Sequence, residues 1–398
     1  MITSKEALNI ILSNTVAFGT ESIPFSDALR RVLKEDLVAD RDFPPFNRVS
    51  MDGIAVNYEV FKQGVREFTI EGIQAAGAPQ LEMKSSRNCL EVMTGAMLPL
   101  NTDSVIPYEQ VTIEEGKARV NIEAIKSGQN VHAQGYDRSA NDQLVKENTL
   151  ISAAEMGVLA TIGKAVVKVA KQPKIIIIST GDELVEVSEK PLAHQIRRSN
   201  VHTLVALLDS LKIKADTAHI IDEKPLLKQK ISGFLNDYDV LLFSGAVSKG
   251  KFDYLPEVLD ELGVKKLFHG VKQRPGKPFW FGVKENKRIF AFPGNPVSTY
   301  VGCLNYFYPW YKKSVGLSCE NSNKAILAED FTFTPELTYF LQVKLQNEEG
   351  KLMGYPVMGH GSGDLANLVD ADGFLELPDN RNDFKKGEVF PLIIYRNF

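Results

Sequence analysis

Arg274, Lys277, Asn295 and Ser298 sit in or beside two copies of one stiff corner, Pro-Gly-X-Pro, at residues 275–278 and 293–296. Proline fixes φ, and glycine reaches conformations that other residues resist, so each corner is rigid and lets its backbone approach a ligand. Basic side chains held on such turns suit preorganised binding of an anion. Two more loops carry small polar residues: Ser-Thr-Gly-Asp-Glu at 179–183 and Ser-Gly-Ala-Val-Ser-Lys-Gly at 244–250. Thr180, Gly181, Ser244, Gly245 and Ser248 are their candidate anion ligands, with Pro278 and Pro293 as walls of the corners. Asp182, Asp222 and Asp253 add carboxylates that could hold a divalent cation bridging phosphate oxygens.

Each piece has a plainer reading when taken alone. Loop 179–183 reads equally well as a turn leading to a helix cap. Asp222 reads first as the cap of a helix opening near Pro225. Loop 244–250 lacks the Gly-Lys-Ser/Thr ending of a P-loop. The turns Ser-Met-Asp-Gly at 50–53 and Met-Thr-Gly-Ala at 93–96 read as hairpin turns, and His194, Arg197 and Arg198 as a solvated basic turn. The histidines show no metal spacing, and no Gly-x-Ser-x-Gly nucleophile motif occurs. What favours a site is the convergence of the loops at one end of a sheet.

The elements around them predict that convergence. Ile175, Ile176, Ile177 and Ile178 form a short β-branched run, as expected of a strand buried on both faces. Helix-like segments at 200–211 and 226–235 alternate with strand candidates at 218–221 and 240–243. A strand at 266–268, two short strands at 279–283 and 289–292, and a helix from 296 to about 310 follow. This alternation predicts an α/β domain with a largely parallel sheet, whose ligands bind beyond the carboxyl ends of the strands. Loops 179–183, 244–250 and 293–298 fall at such ends, the last opening a helix whose N-terminal N–H groups favour anions.

Upstream, residues 3–35 read as helical, with Ser4 as a cap and two apolar stripes, Ala7, Leu8, Ile10, Ile11 and Ala28, Leu29, Val32, Leu33. Residues 53–127 have the short alternating runs of β structure, 153–162 is helical, and β texture returns after 319. A chain of 398 residues is too long for one common core. A net charge of -4 argues against nucleic-acid binding. No apolar run approaches a membrane span, the N-terminus lacks a signal-peptide pattern, and three scattered cysteines offer no Cys-x-x-Cys pair. The expectation is a cytoplasmic protein.

Six motifs then resemble, in order, those of the molybdopterin molybdenumtransferase (MoeA) family, which includes the gephyrin E domain. They stand at 48–56, 93–96, 179–184, 244–248, 274–278 and 293–298. The resemblance implies a multidomain α/β plus β fold. Its parts are a discontinuous helical/β linker domain (1–40 and 128–170), a β-rich inserted domain (41–127), a molybdopterin-binding, MogA/MoaB-like α/β domain (171–318) and a C-terminal β-barrel-like domain (319–398). It further implies an elongated homodimer and insertion of molybdate into adenylylated molybdopterin, with release of AMP and help from a divalent metal such as magnesium. By the same carry-over Asp52, Thr94, Asp137 and Glu155 join Asp182 as catalytic positions, with Asp52 and Thr94 facing the partner subunit. The adenylyltransferase of the same pathway and apo-molybdoenzymes are the implied further partners.

The chain departs from the family pattern in four places. Ala246 replaces a glycine, Arg198 an aspartate, and Arg274 a common lysine, while 338–342 is neutral where arginine is usual. Two rival readings are adenylyl transfer to molybdopterin and a non-catalytic gephyrin-like scaffold. The extra β-rich domains oppose the first, and the absence of a long linker or fused partner domain opposes the second.

Overall fold

A computed structural model of the chain describes residues 1–247 and 253–396. They form two compact units, one comprising Met1–Lys34, Asn148–Ser152 and Val167–Phe398, the other Glu35–Glu147 and Ala153–Val166.

The first unit is built on the isoleucine strand Ile175–Thr180, all six residues of which are buried. Side chains alternate across a strand, and here the alternation sorts the isoleucines between two cores. Ile175 and Ile177 join Leu204, Leu208, Val301 and Trp310 on one face, while Ile176 and Ile178 join Leu227, Ile231, Leu255 and Val258 on the other. Each buried isoleucine contributes about 1.5–3 kcal/mol of burial, so a run with no polar face is stable only when helices cover both sides. Those helices are Ser199–Ser210 on the first face, and Lys224–Asp237 and Leu255–Glu261 on the second. A continuous helical run of Pro296–Gly302, a π turn Cys303–Phe307 and Tyr308–Ser314 completes the first face.

Sheet order is Ala215–Ile220, Ile175–Thr180, Val240–Ser244, Lys287–Phe292, Trp280–Lys284, Lys265–His269. The first four strands are parallel. The last two are antiparallel, so the expected parallel sheet carries an antiparallel extension. The reason lies in the corner region: residues 285 and 286 turn the chain straight back, which makes a hairpin and leaves no length for a crossover.

The C-terminal strands close a ring. Thr338–Glu348 pairs with Lys351–Pro356, then Lys324–Leu327, Val389–Ile394 and Gly373–Leu377 follow, and the last returns to Thr338–Glu348. Closure removes free edges from this β-barrel. The strand Val271–Arg274, which leads into the first Pro-Gly-X-Pro corner, pairs with the barrel strand at Gln273↔Thr338. The first corner is thereby tied to the barrel as well as to the α/β sheet.

Residues 3–35 are not one helix. Thr3, rather than Ser4, caps the helix Ser4–Leu12 in a reciprocal box with Glu6. Ser4 is buried, with its hydroxyl 3.1 Å from that of Tyr306. Gly19 at φ +83° turns the chain into the strand Thr20–Pro24. Ala28, Val32 and Leu33 are buried as expected, but Val32 and Leu33 bridge Leu150 and Val169 as extended chain. Tertiary pairing overrides the helical spacing of that second stripe.

The second unit centres on a six-stranded sheet ordered Ser104–Pro107, Gly53–Val56, Asn88–Val92, Glu67–Gln74, Lys117–Val120, Val111–Glu114. Ile54, Val56, Phe68 and Ile106 pack on one face, and Val49, Ala55, Val92 and Val105 on the other. Gly53 is required here: a Cβ on it would lie 2.0 Å from the Ile106 carbonyl oxygen.

Candidate functional site

The parallel strands Ile175–Thr180, Val240–Ser244 and Lys287–Phe292 end at one edge of the sheet, and their loops converge on a cleft of ≈ 580 Å³. Thr180, Gly181, Ser244, Gly245, Asp222 and Asp253 line it, with Gly294 and Asn295 from the second corner. Gly245 is at φ +110°, and a Cβ on it would meet the Thr180 carbonyl at 3.0 Å and hydroxyl at 3.1 Å. The loop therefore needs glycine there. Ala246 follows at φ 54°, the left-handed region, which costs a residue with a Cβ about 1–2 kcal/mol.

The corners make a smaller pocket of ≈ 260 Å³ that shares Gly294 and Asn295 with the cleft. Arg274, Lys277, Pro278, Pro293, Asn295 and Ser298 all line it. Arg274 and Lys277 are exposed, Ser298 is buried, and the Arg274 guanidinium lies 5.8 Å from the Phe333 ring. The Asn295 amide donates to the Ser362 hydroxyl at 2.8 Å. The two corners are thus adjacent, as expected, but they enclose an annex of the cleft.

Unpartnered polar atoms set the cleft apart. Buried polar atoms in folded proteins nearly always have partners. Among the described residues Thr180 Oγ1, Arg198 Nε, Asn200 Oδ1 and Asp222 Oδ1 are buried without one, and all four residues line this cleft. Asp222 is not a helix cap, since the following helix takes Glu223 as its N-cap residue. Its backbone N–H donates to Asp182 Oδ1 at 3.0 Å. Burial first, then the charges of Asp182, Glu183 and Asp253, push the Asp222 carboxyl up to about 6. Asp182 is exposed and stands beside the cleft through that bond. Among the described residues no three His, Cys, Asp or Glu stand close enough to cage a metal ion unaided.

Arg198 and Asn200 were missing from the expected site. The Arg198 side chain is only 11% exposed, its NH2 group pairs with Glu186, and it is no part of a solvated turn. Arg197 and His194 do remain exposed. Asn200 donates to the Ser244 hydroxyl at 2.9 Å and to the Gly294 carbonyl at 2.7 Å, tying two of the converging loops together. The available signal was the position of Ser199 and Asn200 at the start of a helix behind a strand of the same α/β layer. Ser248 lies outside the described residues.

The other expected residues belong to the second unit. Asp52 Oδ1 accepts from the Thr94 N–H at 2.6 Å and from its hydroxyl at 2.7 Å. These bonds, the backbone one foremost, hold the Asp52 carboxyl below the ordinary range. Asp137 lies 2.9 Å from His132 Nε2, and Glu155 is in the first turn of the helix Ala153–Thr161. A concavity of this unit, ≈ 1080 Å³, is lined by Arg66, Glu67 and Lys117 among others, and the last two pair at 2.8 Å. It resembles a solvated sheet face more than a site.

An α/β layer with a polar cleft at its carboxyl edge, joined to a closed barrel and accompanied by a separate β-rich unit, defines a multidomain α/β and β protein. Three family descriptions match in succession: "MoeA N-terminal region (domain I and II)" over residues 2–163, "Probable molybdopterin binding domain" over 176–313, and "MoeA C-terminal region (domain IV)" over 324–395. A molybdopterin molybdenumtransferase of a Synechocystis species is 40% identical, with 98% of this chain and 99% of that protein covered. One from Staphylococcus epidermidis is 30% identical over 99% and 95%. A crystal structure of the molybdopterin biosynthesis moeA protein from Pyrococcus horikoshii superposes with a TM-score of 0.83 at 27% identity, covering 99% of this chain and all of that one. The chain belongs to the molybdopterin molybdenumtransferase (MoeA) family, transferases of molybdenum cofactor biosynthesis.

Proposed function

We propose that the protein inserts molybdate into the dithiolene of adenylylated molybdopterin and releases AMP. The observation that supports this most is the set of four buried, unpartnered polar atoms around the ≈ 580 Å³ cleft, adjoined by the Arg274–Lys277 annex. A phosphate-bearing pterin would occupy the cleft, where Thr180, Asn200 and Ser244 offer hydrogen bonds. The tetrahedral molybdate would sit in the annex, between Arg274, Lys277 and Ser298, close to the cleft through Gly294 and Asn295. Cleavage of the phosphoanhydride takes up water and leaves AMP and a pterin phosphate, while one molybdate oxygen departs as water with the two thiol protons.

The residues present make only part of a cation site, since among the described residues Asp182, Asp222 and Asp253 do not by themselves form a group that could hold a metal ion. Asp222 Oδ1 is buried without a partner and repelled by Asp182, Glu183 and Asp253. Asp182, Asp222 and Asp253 would hold magnesium together with substrate phosphate oxygens, and the cation would supply charge neutralisation at the phosphoanhydride. The chain's own part is to orient the phosphates with the loops and keep Asp182 fixed on the Asp222 N–H. Asp52, Thr94, Asp137 and Glu155 of the other unit would serve the same reaction from the partner subunit of a homodimer, in a cytoplasmic protein of four-domain subunits.

The test is AMP release by purified protein given adenylylated molybdopterin, magnesium and molybdate. Asp182→Ala should abolish it and leave the circular dichroism spectrum unchanged. Undiminished turnover in that variant would remove Asp182 from the mechanism, and failure of the wild type to release AMP would overturn the activity itself. Size-exclusion chromatography with light scattering tests the dimer.

A further inference from the structure

Arg198 is placed with care. Its backbone is fixed by a short parallel ribbon in which Leu184–Val185 pairs with Ile196–Arg197, and its N–H donates to the Val185 carbonyl at 3.0 Å. It is the N-cap residue of the helix Ser199–Ser210 yet gives that end no side-chain cap. Its guanidinium has one end on Glu186 and a buried Nε–H with no acceptor. Thr180, itself 4% exposed, has an unpartnered hydroxyl in the same cleft.

The charges make the same point. Glu183, Asp222 and Asp253 line the cleft, so an anionic ligand entering it meets carboxylates. Among the described lining residues the cations are Arg197 and Arg198. Arg197 is exposed, and its Nε already donates to the Glu189 carbonyl at 3.0 Å. Arg198 alone combines burial with an unused donor. Its partner Glu186 is 52% exposed, so returning that carboxylate to water costs little. A phosphate accepting two N–H groups from the guanidinium fork is held more strongly than an exposed carboxylate.

We propose that Arg198 is a phosphate-binding residue of the cleft, held by Glu186 when the cleft is empty and released to a phosphate group of the ligand when one enters. The class of ligand rests on the molybdopterin reading above, whereas the exchange of partners rests on this geometry. Arginine is required over lysine, because only the fork offers Nε and a terminal N–H together.

Titration calorimetry with AMP, adenosine and molybdopterin separates the outcomes. Arg198→Gln should weaken binding of a phosphate-bearing ligand about tenfold, the loss expected for a charged hydrogen bond, and leave adenosine unchanged. Loss with AMP alone places the adenylate phosphate on Arg198, and loss with molybdopterin alone places the pterin phosphate there. Glu186→Gln removes the competitor and should tighten binding about threefold, within the range of an exposed ion pair. Arg198→Lys should behave more like Arg198→Gln than like wild type. Unchanged affinity of Arg198→Gln for both phosphate ligands overturns the proposal. So does equal weakening by Arg198→Gln and Glu186→Gln, since a purely structural pair would act that way. Should Arg198→Gln fail to fold, the gain in Glu186→Gln still decides. Normal AMP release with no effect of either variant would defeat this inference while sparing the activity.

Discussion

Replacing Asp222 with asparagine should stabilise the protein near neutral pH. The folded protein raises this carboxyl from 3.8 to about 6, through burial and then the charges of Asp182, Glu183 and Asp253. A raised folded-state value means the folded protein holds the proton more tightly than the unfolded chain. The resulting stability is complete below pH 3.8 and is lost as pH rises through about 6. At 1.36 kcal/mol per pH unit the full effect is about 3 kcal/mol. The side chain is only partly buried, and solvent screening reduces this to about 1 kcal/mol. For a unit of this size that corresponds to about 2 °C in melting temperature. Calorimetric melting at pH 3.5 to 8 should show Asp222→Asn close to wild type at pH 3.5, about 1 °C above it at pH 5 and about 2 °C above it at pH 7.5. Magnesium should raise the wild-type transition and leave the variant's nearly unmoved. A variant melting at or below wild type at pH 7.5 refutes the repulsion. An equal magnesium gain in both proteins refutes Asp222 as a ligand.

Two further predictions concern the second unit. Gly53→Ala places a methyl 2.0 Å from the Ile106 carbonyl on the neighbouring strand, which has no side-chain freedom to give. It should cost at least about 3 kcal/mol, and a urea midpoint shifted by less than a third of that would show the strands can part. Thr94→Val removes the hydroxyl donor to Asp52 and keeps the N–H. Carboxyl NMR should then find the Asp52 midpoint moved part of the way up toward its ordinary value, and an unmoved midpoint would show that the hydroxyl bond carries nothing.

Much of this protein could be read from local sequence. The isoleucine run predicted a doubly buried strand because β-branched residues without a polar face have only that use in water, and the two cores divide them accordingly. The two Pro-Gly-X-Pro corners stood out in the sequence because stiff turns with basic residues are a local property, and both line one small pocket. The parallel loops were expected at one sheet edge from strand–helix alternation alone, and the order of six motifs pointed to the family.

Tertiary structure decided the rest. The stripe Ala28, Leu29, Val32, Leu33 has helical spacing, but extended pairing of Val32 and Leu33 with Leu150 and Val169 outweighs propensity. The antiparallel extension of the sheet follows from a hairpin whose partner strands only the folded chain reveals. Arg198 illustrates the limit most clearly. In the sequence it is one of two adjacent arginines and reads as solvated. Its exposed acidic partner comes from a ribbon 12 residues upstream, and the cleft it lines is completed by residues as distant in sequence as Ser244 and Gly294. A sequence specifies which groups are available for chemistry. Whether a given polar atom is left without a partner depends on every neighbour the fold brings to it, and no local pattern carries that information.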